Sequence, residues 1–297
     1  MDNSKSSGVA EIINRHEASG RYFDVKGVKT FALDYGKGEA VLCLHGVPTS
    51  SFLYRKVLAG LKKKGYRGIS IDLPGLGLSG RPQNFNYSFQ GYVEFLGEAV
   101  RVLGLKKFHL VVHDIGGPIG FALAAGIRKK ISSITILNTW IDVVNFEKPL
   151  VMRPFEKRGI GQAELRMITH LTWPVMFNKI GILRDGIVPR AEINAYVDLL
   201  KREDNGAAFL KIMRNFDSSP EFRDLCYAAV HDVPYPVQAI WGGKDITLTY
   251  DRYAREIMDV ASLEKISVLP SRHFLQEEVW LGIADYIDEI IKTAHTR

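Results

Sequence analysis

Short, continuous apolar runs alternate along the chain with longer segments whose apolar positions recur every three or four residues. Residues 40–44 are wholly apolar, as expected for a parallel strand covered on both faces. Residues 51–64 follow, with Phe52, Leu53, Val57, Leu58 and Leu61 gathered on one side of a helix. The pairing repeats with a strand at 69–72, a helix at 89–103, a strand at 108–112, a helix at 118–125 and a strand at 131–137. Ahead of these, 21–24 and 28–34 predict two antiparallel strands that turn at Lys26-Gly27. Such alternation points to an α/β fold with a doubly wound, mostly parallel sheet.

The rhythm then stops. From 140 to 231 no strand pattern is visible, and the segment carries helical stretches such as 191–201. Loops between strands and helices usually take about 2–6 residues, so this stretch reads as an inserted helical cap. Strand and helix resume with a strand at 237–241, a helix at 250–260, a strand at 265–269 and a closing amphipathic helix at 277–293. The expected organisation is a core from 1–139 and 232–297, interrupted by a cap at 140–231.

Composition narrows the partners. With 297 residues, 46% hydrophobic and 24% charged, the chain is near the globular average and long enough for a sizeable core. Its longest apolar stretch, 116–127, falls short of the roughly 18 residues that a spanning helix needs. No membrane partner is therefore expected. The net charge of +6 is not clustered; the one basic run, Lys62 to Lys64, falls at a helix end, where cations suit the dipole. Nucleic acid is likewise not expected as a partner. Two cysteines, Cys43 and Cys226, cannot build a disulfide framework, and residues 1–20 lack the apolar centre of a signal peptide. A cytoplasmic location is expected, with residues 1–20 partly disordered and a homodimer left open.

In open α/β sheets, sites form at the carboxyl ends of strands. Four such ends stand out: His45-Gly46-Val47-Pro48, His113-Asp114-Ile115-Gly116-Gly117, Gly243-Lys244-Asp245 and Ser271-Arg272-His273-Phe274. The second runs from a strand into a glycine pair and then a helix, the setting of a nucleophile elbow, but with Asp114 where serine is usual and Val112 where glycine is usual. A carboxylate there can attack a saturated carbon and hold it as an ester. Alternatively, Asp114 could simply cap the following helix.

The order Asp114, Asp245, His273 is that of nucleophile, acid and base, with His273 able to activate water and Asp245 to orient its ring. Asp142 is the rival acid. Backbone N–H groups of Val47 and Ile115 form the expected oxyanion hole. Gly75-Leu76-Gly77-Leu78-Ser79-Gly80 matches a dinucleotide fingerprint, yet Arg81-Pro82-Gln83-Asn84 follows instead of a helix. His109 and His113, four apart on a strand, suit a buried pair better than a metal site. Neither a cofactor nor a metal is expected.

These motifs resemble those of α/β-hydrolases with an aspartate nucleophile, namely epoxide hydrolases and haloalkane dehalogenases. The likeness runs from about 22 to 291. It is carried by His45-Gly46-Val47-Pro48-Thr49-Ser50-Ser51 with Tyr54-Arg55, by Asp72-Leu73-Pro74-Gly75-Leu76-Gly77-Leu78-Ser79, and by His273-Phe274-Leu275-Gln276-Glu277-Glu278. The resemblance implies an α/β-hydrolase fold, a small-molecule electrophile as substrate, and a pocket including His45, Trp140, Trp173, Phe177 and Phe274.

Two departures matter. Dehalogenases usually place a halide-binding tryptophan directly after the nucleophile, where this chain has Ile115, and often an asparagine where it has Val47. Trp140 or Trp173 could supply a missing donor. Epoxide hydrolases use cap tyrosines as acids, and Tyr196 matches one such position. On this balance the resemblance favours an epoxide hydrolase, with a haloalkane dehalogenase or a non-catalytic binding protein as alternatives.

Overall fold

A computed structural model describes residues 8–296. Its centre is an eight-stranded sheet in the order β1-β2-β4-β3-β5-β6-β7-β8. The strands are β1 (Gly20–Val25), β2 (Val28–Tyr35), β3 (Ala40–Leu44), β4 (Arg67–Ile71), β5 (Phe108–His113), β6 (Ile131–Leu137), β7 (Val237–Gly242) and β8 (Ser267–Leu269). β2 runs antiparallel to both neighbours, and every other adjacent pair from β4 to β8 is parallel. All residues of β3 and β5 are buried, which is why these strands read as continuous apolar runs. β8 is shorter than the pattern suggested; it is an edge strand whose Val268 faces solvent.

Helices cover both faces. α2 (Arg55–Lys63) and α12 (Trp280–His295) pack together on one, while α3 (Phe89–Val102), α4 (Gly116–Gly126) and α9 (Pro220–Ala228) pack in a row on the other. α1 (Val9–Ala18) corrects the expectation of disorder over residues 9–18; residues 1–7 lie outside the described ones. Its His16 packs against the Phe31 and Phe52 rings, so a largely polar helix is anchored by two buried positions, Ile12 and His16. Residues 51–54 form a tight 3-10 turn ahead of α2, with the Ser50 hydroxyl accepting from the Phe52 N–H. Lys64, at the end of the basic run, pairs with Asp285 on α12.

Between β6 and β7 lie α5 (Ile160–Met167), α6 (Thr172–Met176), a π turn (Phe177–Gly181), α7 (Arg190–Lys201), α8 (Ala207–Arg214) and α9. α7 packs on α1, whereas α9 returns to pack on α4 of the core. After β7, a π turn (Tyr250–Ala254) leads into α10 (Arg255–Val260). The closing helix is split into α11 (Leu275–Glu278) and α12, with Val279 outside helical geometry between them. Glu277 and Glu278 are buried on partners outside their own helix, which bends the chain there. The glycine-rich segment 75–80 closes on itself through Gly75 N–H to Gly80 O and wraps the Asp72 carboxylate, which accepts from Ser51 and Leu78 N–H. It is a structural loop, and no helix begins at its end. Among the described residues no helix is long and apolar enough to cross a membrane.

Candidate active site

β5 ends at His113, α4 begins at Gly116, and Asp114 between them has φ 53°. A left-handed backbone costs a non-glycine residue about 1–2 kcal/mol, so the turn must be held from outside. Asp114 N–H donates to Asn138 O at 3.0 Å, and Gly117 N–H donates to Asp114 O at 2.9 Å. The Thr139 hydroxyl also donates to Asp114 O, at 2.6 Å. Space is equally constrained: a Cβ on Gly116 would fall 2.6 Å from Leu44 O. The valine that replaces glycine before the turn is accommodated from the helix side, because Gly120 leaves room for the Val112 side chain.

Three strand ends bring the sequence candidates together. His273 Nδ1 lies 2.8 Å from Asp245 Oδ2, and its Nε2 lies 3.7 Å from Asp114 Oδ2. With Nδ1 carrying a proton donated to Asp245, Nε2 faces Asp114 across a gap that a water could bridge from one side. Asp245 is fixed in turn: Oδ2 also accepts from Asn138 Nδ2 at 2.7 Å, and Oδ1 accepts from the Thr247 N–H at 2.8 Å and the Thr247 hydroxyl at 2.6 Å. Asp142, the rival acid, instead accepts from Val144 and Asn145 in its own loop.

Burial opposes ionisation of Asp114, but the nearby charge of His273 outweighs it and lowers its pKa. Asp245 is lowered for the same balance of burial against His273. Burial would depress His273, yet Asp245 and Asp114 together raise it to about 10. His113 is driven the other way, to about 3, by burial and the neighbouring His273. Its Nε2 lies 2.9 Å from the His273 carbonyl, so the neutral ring donates there and holds the loop that carries His273.

The Val47 N–H donates to Asp114 Oδ1 at 2.8 Å, and the Ile115 N–H beside the carboxylate also favours its ionised form. Oδ1 thus rests on a backbone donor while Oδ2 faces the imidazole. Gly46 permits this approach, since a Cβ there would lie 2.1 Å from Oδ1. His45 itself points away: Nε2 accepts from the Leu73 N–H, leaving Nδ1 to donate to Gly46 O.

A cavity opens above Asp114 and His273. Its walls are almost entirely apolar, including Val47, Ile115, Trp140, Phe146, Met152, Phe155, Trp173, Met176, Phe209, Phe216, Leu248 and Phe274. Lys148 also reaches it, but its ammonium lies 2.5 Å from Glu156 and 4.0 Å from the Phe216 ring centroid. The indole N–H groups of Trp140 and Trp173 are buried and have no acceptor among the described residues.

Asp245 sits behind His273 outside this lining, and so do three further sequence candidates. His45 supports the loop behind it, and Phe177 packs behind Phe274 at 5.1 Å between ring centroids. The Tyr196 hydroxyl donates to Glu277 Oε1 at 2.5 Å, deep in an ion-pair cluster with Arg55. A tyrosine bound in this way is not presented to the cavity. Sequence reasoning missed Asn138, Thr139 and Thr247, although each is polar and just follows a core strand. Met152 and Phe209 carried no such signal, being apolar residues of the cap.

Comparison with known proteins agrees with this architecture. A profile described as alpha/beta hydrolase fold matches residues 39–278. Haloalkane dehalogenase 2 of Mycobacterium tuberculosis is 36% identical over 120 residues, a match that covers 40% of this chain and only 42% of that protein. Among solved structures, haloalkane dehalogenase DbeA from Bradyrhizobium elkani superposes with a TM-score of 0.77 at 22% identity, covering 94% of this chain and 99% of that one. Epoxide hydrolase VrEH1 from Vigna radiata gives 0.76 at 22% identity, covering 92% and 97%. At such identities the two structures speak for the fold alone. The matched profile spans most of the chain and both arms of the sheet that carry Asp114, Asp245 and His273, and the protein belongs to the alpha/beta hydrolase fold family.

Proposed function

We propose that this protein is a cofactor-independent hydrolase that cleaves a carbon–halogen bond in a small apolar substrate through an ester on Asp114. The observation that carries the reading is the line Asp114–His273–Asp245, with the Val47 N–H on the carboxylate oxygen facing away from the imidazole. Asp114 Oδ2 attacks the saturated carbon, and the halide departs with the bonding electron pair. With the ester formed, the His273 imidazolium loses its Nε2 proton to solvent, and the neutral ring then takes a proton from water as the hydroxide adds to the ester carbonyl carbon. The negative charge gathers on Oδ1, where the Val47 N–H donates. Collapse breaks the bond from the carbonyl carbon to the alkoxide, which leaves as the alcohol with the proton held by His273, and ionisation of the regenerated acid restores the carboxylate and the imidazolium.

Charge balance times the steps. In the resting site two carboxylates keep His273 protonated well above neutrality. Ester formation removes the Asp114 charge, so the imidazolium loses one of its stabilising partners when a base is required. Asp245 remains to orient the ring.

The leaving group separates the two chemistries expected from sequence. A halide needs hydrogen-bond donors but no proton, and the unpartnered indole N–H groups of Trp140 and Trp173 in the cavity wall suit that need. An epoxide oxygen must be protonated as it opens, and the tyrosine suggested for that task is bound to Glu277. The dehalogenase relative of M. tuberculosis adds support, within the part of the chain it matches.

The test is product analysis with short bromoalkanes and with terminal epoxides. Bromide and alcohol should appear in equal amounts, and Trp140→Phe or Trp173→Phe should each slow bromide release by about 100-fold, the scale of one lost transition-state donor. Diol formation from epoxides without bromide release would overturn the choice of substrate.

A further inference from the structure

We propose that the outer face of the cap docks on an anionic phospholipid surface, with the mouth of the cavity turned toward the bilayer. The four most exposed large apolar side chains among the described residues are Leu150 and Leu171 at 76%, Val175 at 68% and Met167 at 62%. All four fall within one short stretch of the cap. Leu171 and Val175 are one turn apart around α6, and Ile160 and Met167 share the outer face of α5 while Leu165 turns inward. Both helices therefore carry apolar side chains on the side that faces water, the reverse of what core packing requires.

The patch is continuous with the cavity. Val151 and Met176 are exposed and also line the cavity that holds Asp114. A lipophilic molecule leaving a bilayer would meet apolar surface all the way to the site.

Charge selects the occupant. Lys157, Arg158, Arg166 and Lys179 are exposed in the same region and make no ion pair among the described residues. Glu147 and Glu156 are already paired with Arg153 and Lys148, and Glu164 on α5 is an exposed acid without an ion pair among the described residues, so four unpaired cations stand against one unpaired acid. A second copy of this chain, placed about a twofold axis, would set these cations against themselves. Anionic headgroups complement them, and an apolar helix face fringed by lysine and arginine is the pattern of an interfacial helix. No spanning segment is needed for attachment of this kind.

The experiment is co-sedimentation of the full chain with phosphatidylcholine vesicles, with and without about 30% phosphatidylglycerol. Binding should be at least about tenfold stronger with the anionic lipid and should fall about tenfold when salt rises to a level that screens surface charge. A Leu171→Glu, Val175→Glu double variant should lose binding by about tenfold at unchanged melting temperature. Leu281→Glu, an equally apolar-to-acidic change on exposed α12, should bind as the wild type does. Equal binding to both vesicle types, or insensitivity to the double variant, would overturn the proposal. So would a dimer in sedimentation equilibrium that the double variant dissociates, since that would make a second copy the occupant. Vesicle binding is read without turnover and holds or fails independently of the reaction proposed for Asp114.

Discussion

A buried carboxylate that accepts a backbone N–H bond on one oxygen and faces an imidazole with the other stays ionised and aimed, and in the proposed reaction the attacking oxygen is thereby separated from the one that carries charge. The imidazole is held in the opposite sense. His273 has a folded pKa near 10, above the roughly 6.5 of an unperturbed histidine. The folded state therefore binds an extra proton between those values. That contribution to stability is complete below about pH 6.5 and is lost as pH rises through about 10. The difference in melting temperature between wild type and His273→Gln should accordingly shrink from about pH 6 to about pH 10. A difference that stays constant or widens would contradict the pairing. Asp114, Asp245 and His273 were legible as residues because each directly follows a strand of a parallel sheet. Tyr196 and His45 were legible as positions only, since nothing in a linear pattern tells that one hydroxyl is claimed by Glu277 and one ring turns toward Leu73.

The element that matters most is the segment from Ser271 to Glu278, which delivers the base and fastens the cap in the same few residues. Arg272 donates to the carbonyls of Asn178, Lys179 and Ile182 at 2.8, 2.6 and 3.1 Å, capping the π turn of the cap. Phe274 N–H donates to Gly181 O at 2.7 Å. The buried Glu278 carboxylate accepts from the Leu183 and Arg184 N–H groups, both at 2.8 Å, and from the Ser271 hydroxyl at 2.7 Å. Replacing Arg272 with methionine leaves three carbonyls without that donor and should cost about 1–3 kcal/mol. Because the base is the next residue, kcat/KM should fall about tenfold, a misplacement effect. A change below about twofold would show that cap and base loop are independent. The periodic signal of the closing helix concealed its break at Val279, since Glu277 and Glu278 look like the solvent face of an amphipathic helix although both are buried against specific partners.

Across the whole molecule, core and cap are joined by a buried cluster of charge. Arg55 on α2 binds Glu277 on α11 at 2.6 Å and Glu192 on α7, and Lys56 reaches Glu277 at 2.8 Å. Tyr196 completes the cluster from the cap side. Burial alone would raise the Glu277 pKa, and the charges of Arg55 and Lys56 lower it. Glu277→Ala leaves Arg55 and Lys56 with Glu192 as their one remaining acid and should destabilise by about 3 kcal/mol, measured by denaturant unfolding. Tyr196→Phe should cost only about 1–3 kcal/mol and leave the rate of ester formation within about threefold. Loss of ester formation in that variant would reinstate Tyr196 as an acid in the reaction. At this scale the alternation of strand and helix was readable because the sheet imposes it on the sequence. The cap was readable only as an interruption, because its helices are short, interleaved with turns, and apolar on the outside as well as within.

The central claim is that Asp114 becomes esterified and His273 is needed to release it. Intact-protein mass measurement of His273→Gln, after exposure to a bromoalkane, should show a gain equal to one alkyl group, with fragmentation locating it on Asp114 and no gain in Asp114→Asn. A folded His273→Gln variant that gains no mass from bromoalkanes or epoxides, or carries the group on another residue, would contradict the claim.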